Sequence, residues 1–263
     1  MTLPTDALPR ASAPFEWRET GPVIWLDVAV GPARAAFSTR RGGVSEGPFG
    51  SLNLGILTED DPERVRENRF LLGAALGRDT RSVLMGRQVH GTRVEVRDAE
   101  PGKGVRLREA DAQVTRSTRL TPLVLVADCV PVVLAATGVV AAVHCGWRGA
   151  AGGILEHALE AIGGPDRKEV HAALGPGIGP CCYAVGEEVR QAFVTRGHTE
   201  DVIGGGRLDL SLALRRELER LGLAPGQIHD CGLCTSCSSE LFFSHRRDRG
   251  VTGRQAGLAW LAP

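Results

Sequence analysis

Cys129 and His144 are the residues of this chain best placed to do chemistry. Cys129 stands in Ala127-Asp128-Cys129-Val130-Pro131, and His144 opens His144-Cys145-Gly146-Trp147-Arg148-Gly149 farther on. A thiolate is both a nucleophile and a soft metal ligand, and an imidazole can act as its base or as a fellow ligand. A third candidate is His90 in Gln88-Val89-His90-Gly91. Two imidazoles and one thiolate suit zinc, and three protein ligands leave a fourth position for water or substrate. The same residues also allow a Cys129 nucleophile activated by His144, as in thiol hydrolases. The spacing is not a local metal motif, so residue types alone leave both uses open, beside the plain reading of His90 as a loop residue and Cys129 as core packing.

The elements that must position these groups follow from hydrophobic pattern. Residues 122–126, 131–135 and 139–143 are apolar runs, with Thr137-Gly138 as a two-residue turn between the last two. If the chain runs up, down and up, Cys129 and His144 emerge at one sheet edge. The pattern of Ile154, Leu155, Ala158, Leu159 and Ile162 predicts a helix over 149–162 ended by Gly163-Gly164-Pro165. Its N-terminus, with Arg148 and the flanking glycines, would favour an anion at the same edge.

Elsewhere, strands are expected at 23–28, 34–39, 94–97, 170–174, 228–231, 241–244 and 258–261. Asp61-Pro62-Glu63 supplies an N-cap, a Pro at the first helical position and an acid, so a helix should run to about Leu76 and stop at Gly77. Further helices are expected over 186–196 and from Leu210 to a C-terminal Gly222. Residues 1–20 read as a loosely held arm and 21–263 as one domain. The hairpin at Thr137-Gly138 favours a mixed sheet over a purely parallel one.

The chain has 263 residues, 43% of them apolar, enough for a sizeable core, and its formal net charge is zero. Nothing in that balance calls for nucleic acid or an acidic membrane surface. No signal peptide or membrane-spanning run is visible, so a cytoplasmic protein is expected, and its seven cysteines read as thiols or ligands instead of disulfides. Cys231, Cys234 and Cys237 form a Cys-x-x-Cys-x-x-Cys run that lacks a partner cluster, and the adjacent pair Cys181-Cys182 would point opposite ways in an extended segment. Neither is expected to bind metal. His157, His171, His198, His229 and His245 have no motif context.

Read together, a series of segments resembles the bacterial family once called laccase-domain or polyphenol oxidase proteins and now regarded as multifunctional purine nucleoside phosphorylases. The series includes Gly42-Gly43-Val44-Ser45, Ser51-Leu52-Asn53-Leu54-Gly55, Gln88-Val89-His90-Gly91, Asp111-Ala112, the Cys129 and His144 segments, Cys182-Tyr183, Arg246-Arg247 and Thr252-Gly253-Arg254. The resemblance implies a single α+β domain with mixed β-sheets flanked by helices. It also implies a zinc site on His90, Cys129 and His144, and phosphorolysis of adenosine, guanosine, inosine and methylthioadenosine, with adenosine deamination. Cys145, where the family usually has a small residue, adds a further soft ligand to consider, and His245 stands where Tyr is common.

On that reading the partners are purine nucleosides and inorganic phosphate, and the chain is expected to be a monomer. Zinc would activate water for attack at purine C6 during deamination. Arg148, Arg40 or Arg41 would hold phosphate, and Asn53 would bond ribose or base, although the arginines also suit surface salt bridges and Asn53 a turn. The older copper polyphenol oxidase reading needs several His-x-His pairs, and the sequence contains none. Copper therefore ranks below zinc.

Overall fold

The computed structural model describes residues 8–99, 107–164 and 166–262. Its N-terminal half begins with a meander, β1 (Glu16–Thr20), β2 (Val23–Val30) and β3 (Ala33–Ser38), followed by α1 (Pro62–Leu76), β4 (Val83–Leu84), β5 (Val94–Val96) and β6 (Ala112–Thr115). The central stretch carries β7 (Thr121–Val126), β8 (Val130–Ala136), β9 (Val139–Cys145), α2 (Trp147–Gly152) and α3 (Ile154–Ile162). β10 (His171–Leu174), α4 (Glu187–Thr195), α5 (Leu210–Arg220), β11 (Ile228–Asp230) and β12 (Gln255–Leu261) complete the chain.

Among the described residues the strands form two six-stranded sheets, ordered β1-β2-β3-β12-β7-β4 and β11-β10-β8-β9-β6-β5. Each is mixed: the first ends on the parallel pair β4–β7, and the second has parallel pairs at both edges. The sheets pack face to face. Leu26, Val28, Ala35 and Phe37 of the first meet Val133, Ala135, Val140 and Ala173 of the second. The alternate residues Val130, Val132 and Leu134 face a core shared with α3, α4 and α5, and Leu72 of α1 covers the outer face of the first sheet. This is the α+β architecture, with mixed sheets flanked by helices.

Local chemistry explains most element ends. The Asp61 carboxylate accepts the Glu63 N–H at 2.8 Å, Pro62 opens α1, and Gly77 closes it in the left-handed region. The expected helix over 149–162 is instead two helices, because Gly153 adopts φ +88° and breaks the ladder. β7 does not run beside β8 but belongs to the other sheet, so the chain changes sheets at Ala127 to Cys129. The expectation that Cys129 and His144 share an edge holds nonetheless, since Val130 pairs Cys145 and Pro131 pairs His144 in the β8–β9 ladder.

Three other differences are local. Residues 241–244 are buried but form no strand. Glu16–Thr20, expected in the arm, pairs with β2 as an edge strand, while residues 1–7 of that arm lie outside the described residues. β4 and β6 were not anticipated, being two and four residues long.

Gly175, just past the end of β10, packs tightly against the other sheet. A Cβ placed on Gly175 would lie 2.2 Å from Phe37 Cδ1, and Phe37 is fully buried. Gly175→Ala should therefore overpack this contact and destabilise the protein by about 1–3 kcal/mol. A urea titration would show it as a lower midpoint; an unchanged midpoint would mean that the sheets can separate freely there.

Candidate metal and reaction site

His90 lies in the loop before β5 with φ +60°, a conformation that a non-glycine residue holds only when its surroundings dictate it. Asp111 dictates it. Its carboxylate accepts the backbone N–H groups of Val89 at 3.1 Å, His90 at 2.9 Å and Gly91 at 2.9 Å. The same carboxylate lies 2.8 Å from His144 Nδ1, and its backbone carbonyl accepts the His144 N–H at 2.7 Å. His144 Nδ1–H thus bonds the carboxylate, and Nε2 is left as the ligand or base. Burial works to raise the Asp111 pKa, but His144 and the N–H groups of Gly91 and Val89 hold it below the usual carboxylate range.

Cys129 arrives from the opposite direction. Asp128, at φ +87°, makes the turn between the sheets, and its carboxylate accepts the Thr235 hydroxyl and the Arg246 N–H, both at 2.7 Å. Donor atoms of His90, Cys129 and His144 all lie within 4.8 Å of one another. Gly146 permits that convergence, because a Cβ there would sit 2.8 Å from the His90 ring and 3.0 Å from Cys129 Sγ. Exposure grades across the set: His144 is buried, Cys129 half-buried and His90 exposed. One side of the set is therefore open to solvent.

These donors fit zinc: two imidazoles and a thiolate converge, one imidazole is oriented by a carboxylate, and solvent reaches one side. Electrostatics agree. Burial alone would raise the Cys129 thiol, yet His144 and His90 bring it down to about 6. Burial opposes charge on His144, but Cys129 and Asp111 raise it to about 9. In the metal-free protein the two form a thiolate–imidazolium pair.

The surroundings are basic and aromatic. Arg148 stacks on Trp147, and Arg246 lies 5.0 Å over the Tyr183 ring while donating to the Ala184 carbonyl. Burial and the charges of Cys129 and Asp128 push the Tyr183 hydroxyl up to about 12 against the pull of Arg246 and Arg148, so all these groups share one field. Arg254 is also within the field of Cys129 and Asp128. Tyr183, Arg246, Arg254 and Asp111 all stand in the segments that resemble the family, but the sequence alone assigns them no role. Their separation from the trio along the chain hid the connection.

Other expected groups are engaged elsewhere. Asn53 is fully buried: its Oδ1 accepts the N–H groups of Gly55 and Arg254, and its Nδ2 donates to Thr58 and Asp60. Nothing remains for a ribose or base, and the turn-forming alternative holds. Arg40 donates to the carbonyls of Gly50 and Ser239 and stacks on Phe243, and Arg41 pairs with Glu240. Cys145 packs in the helix-side core with Val143, outside the set of converging donors, so it is no fourth ligand, and burial raises its thiol well above the usual range. A cavity of about 210 Å³ beside α1, lined by Leu72, Met85 and Leu258 with Arg69 and Arg78, includes none of the trio.

Residues 34–262 match the family model described as multi-copper polyphenol oxidoreductase laccase. The chain is 37% identical over 243 residues to a purine nucleoside phosphorylase of Corynebacterium glutamicum, covering 90% of this chain and 97% of the relative. It is 41% identical over 227 residues to one of Deinococcus radiodurans, covering 83% and 85% respectively. The crystal structure of the Bacillus licheniformis hypothetical protein YfiH superposes with a TM-score of 0.86 at 32% identity, covering 95% of this chain and all of that one.

Two outcomes follow from this geometry. In Asp111→Asn, one carboxylate oxygen becomes an amide N–H₂ that opposes the donors it should accept, so zinc affinity should fall by ~10–100-fold; unaltered affinity in a metal titration would remove Asp111 from the site's support. In metal-free protein, alkylation of Cys129 followed by peptide mass spectrometry should be half-maximal at a pH of about 6 instead of the ordinary 9. The linkage signs agree: the stabilisation carried by the lowered thiol is lost as pH falls through about 6, and that carried by the raised imidazole as pH rises through about 9. An alkylation midpoint near 9 would show that no such pair forms.

Proposed function

Because the chain belongs to the multi-copper polyphenol oxidoreductase laccase family, and the relatives compared above are named purine nucleoside phosphorylases, we propose that it is a zinc-dependent purine nucleoside phosphorylase. The convergence of His90, Cys129 and His144 on a basic rim carries this reading. Adenosine, guanosine, inosine and methylthioadenosine are the proposed substrates. Adenosine deamination at the same site is the second activity.

In phosphorolysis a phosphate oxygen bonds to ribose C1′ as the bond to purine N9 breaks, and the departing base takes up a proton or hydrogen bond. Zinc, when held by the trio, supplies Lewis-acid charge and the ability to activate water. The chain's own residues do the positioning. Asp111 fixes the His144 tautomer and the His90 backbone. Arg148 and Arg246 offer guanidinium groups to phosphate, and Tyr183 offers an aromatic face to the base. Arg40, bonded to the Gly50 and Ser239 carbonyls, and Arg41, paired with Glu240, act at most by shaping the rim. A monomer in the cytoplasm is part of this reading, and none of the seven cysteines is paired in a disulfide. No helix among the described residues is long and apolar enough to cross a membrane.

The family's description points to copper, and two imidazoles with a thiolate can also hold that ion. A multicopper oxidase further requires paired His-x-His ligands for a trinuclear cluster, and the seven histidines of this chain include no such pair. The thiolate–imidazolium pair supports one other reading, a thiol hydrolase using Cys129.

Incubating zinc-loaded protein with adenosine and phosphate should yield adenine and ribose-1-phosphate, with inosine from deamination. Cys129→Ala should lose the bound zinc and reduce both turnovers by more than ~100-fold. Full turnover in that variant would end the reading. Turnover that survives chelation but not alkylation of Cys129 would move the site to the thiol-hydrolase class.

A further inference from the structure

Four cysteines outside the reaction site converge at one place. Cys181 and Cys182 follow β10 in one loop, and Cys234 and Cys237 follow β11 in another. Their Sγ atoms all lie within 4.8 Å of one another, and Cys237 Sγ is 3.5 Å from both Cys181 Sγ and Cys182 Sγ. A tetrahedral zinc with Zn–S bonds of about 2.3 Å requires sulfur–sulfur edges of about 3.8 Å. Sulfurs at these separations have almost the spacing of that tetrahedron. Disulfide sulfurs sit far closer, at about 2.05 Å.

The backbone accounts for how adjacent cysteines share one focus, against the expectation drawn from an extended segment. Gly179 to Cys182 is a tight turn, in which the Gly179 carbonyl accepts the N–H groups of both Cys182 and Tyr183 at 3.0 Å. The Gly179 N–H donates to Cys234 Sγ at 3.2 Å, an orienting bond of the kind that surrounds metal thiolates. A Cβ on Gly179 would sit 3.3–3.6 Å from Cys234 and Cys181, so glycine leaves the cluster its room. Cys231, which completes the sequence run, lies instead in the core between the sheets. The run therefore divides: its first thiol packs, and the other two join the pair from the other loop.

We propose that Cys181, Cys182, Cys234 and Cys237 bind a second zinc ion as a closed, four-thiolate structural site. The ion clamps the loop carrying Tyr183 to the segment carrying Arg246. Those segments are otherwise joined by the Thr235 N–H to the Gly177 carbonyl at 2.9 Å, the Arg246 side chain to the Ala184 carbonyl at 2.6 Å, and the Arg246–Tyr183 stack. A site with four protein sulfurs has no open position, so its role is to hold, not to react.

The test uses the full chain carrying Cys129→Ala, which disables the reaction-site trio and makes this site readable whatever chemistry the trio performs. Kept under a non-chelating phosphine reductant, loaded with zinc and desalted, it should retain one zinc per chain by native mass spectrometry. Cobalt in its place should show intense near-ultraviolet thiolate-to-metal charge transfer and the visible bands of a tetrahedral ion. Adding Cys181→Ser and Cys237→Ser, both at exposed positions, should abolish the bound zinc while leaving the far-ultraviolet circular dichroism unchanged. In the otherwise native chain, Cys237→Ser alone should lower Tm by several degrees. Four free thiols with no retained zinc, or a Cys181–Cys237 disulfide peptide under the same reductant, would overturn the proposal.

Discussion

The Asp111 carboxylate is a buried charge whose neutralisation organises the reaction site. A buried carboxylate without partners is costly, and removing one side of such an arrangement costs about 3–5 kcal/mol. Here three consecutive N–H groups of the His90 loop and the His144 imidazole supply the compensation. The charge that needs these donors also sets their geometry. It bends the His90 backbone into the left-handed region and turns His144 Nε2 toward Cys129, so the cost of burial and the precision of the ligand set have one source.

The second constraint is the passage between sheets. β7 belongs to one sheet and β8 to the other, and only Ala127 to Cys129 lie between them. Asp128 makes this turn in an unfavourable conformation because Thr235 and Arg246 satisfy its carboxylate. The residue bearing the thiol is therefore fixed by the segment that also delivers Arg246 to the rim. A change in that segment reaches Cys129 through two hydrogen bonds, without any contact with a substrate.

Local patterns were legible where one physical effect dominates. The capping chemistry of Asp61-Pro62 and Gly77 marks both ends of α1, and the apolar runs mark β8 and β9 to within two residues at either end. The hairpin register then brings Cys129 and His144 to one edge. Long-range partnerships were not legible: Asp111 acts on His144 across 33 residues and on His90 across 21, and no local pattern announces a carboxylate's donors. The choice between ligand and turn former at Asn53 is open in the sequence for the same reason, since its amide is satisfied in part by the Arg254 N–H, 201 residues away. The assumption of an extended chain failed at Cys181-Cys182, where a turn at Gly179 sets the direction of both thiols.

Cysteine position, not cysteine number, decides what each thiol does here. Cys145 and Cys231 sit in packed cores, where burial holds the thiol protonated and leaves it a small apolar side chain. Cys129 lies between two imidazoles, which favour the thiolate and complete a three-donor set with an open side. The remaining four meet one another with no imidazole among them, which gives a closed set. An open site can admit a substrate and a closed one cannot. On the proposed assignments the two clusters divide reaction from support within one fold, and the loops that meet at the four-cysteine cluster are those that carry Tyr183 and Arg246 toward the trio.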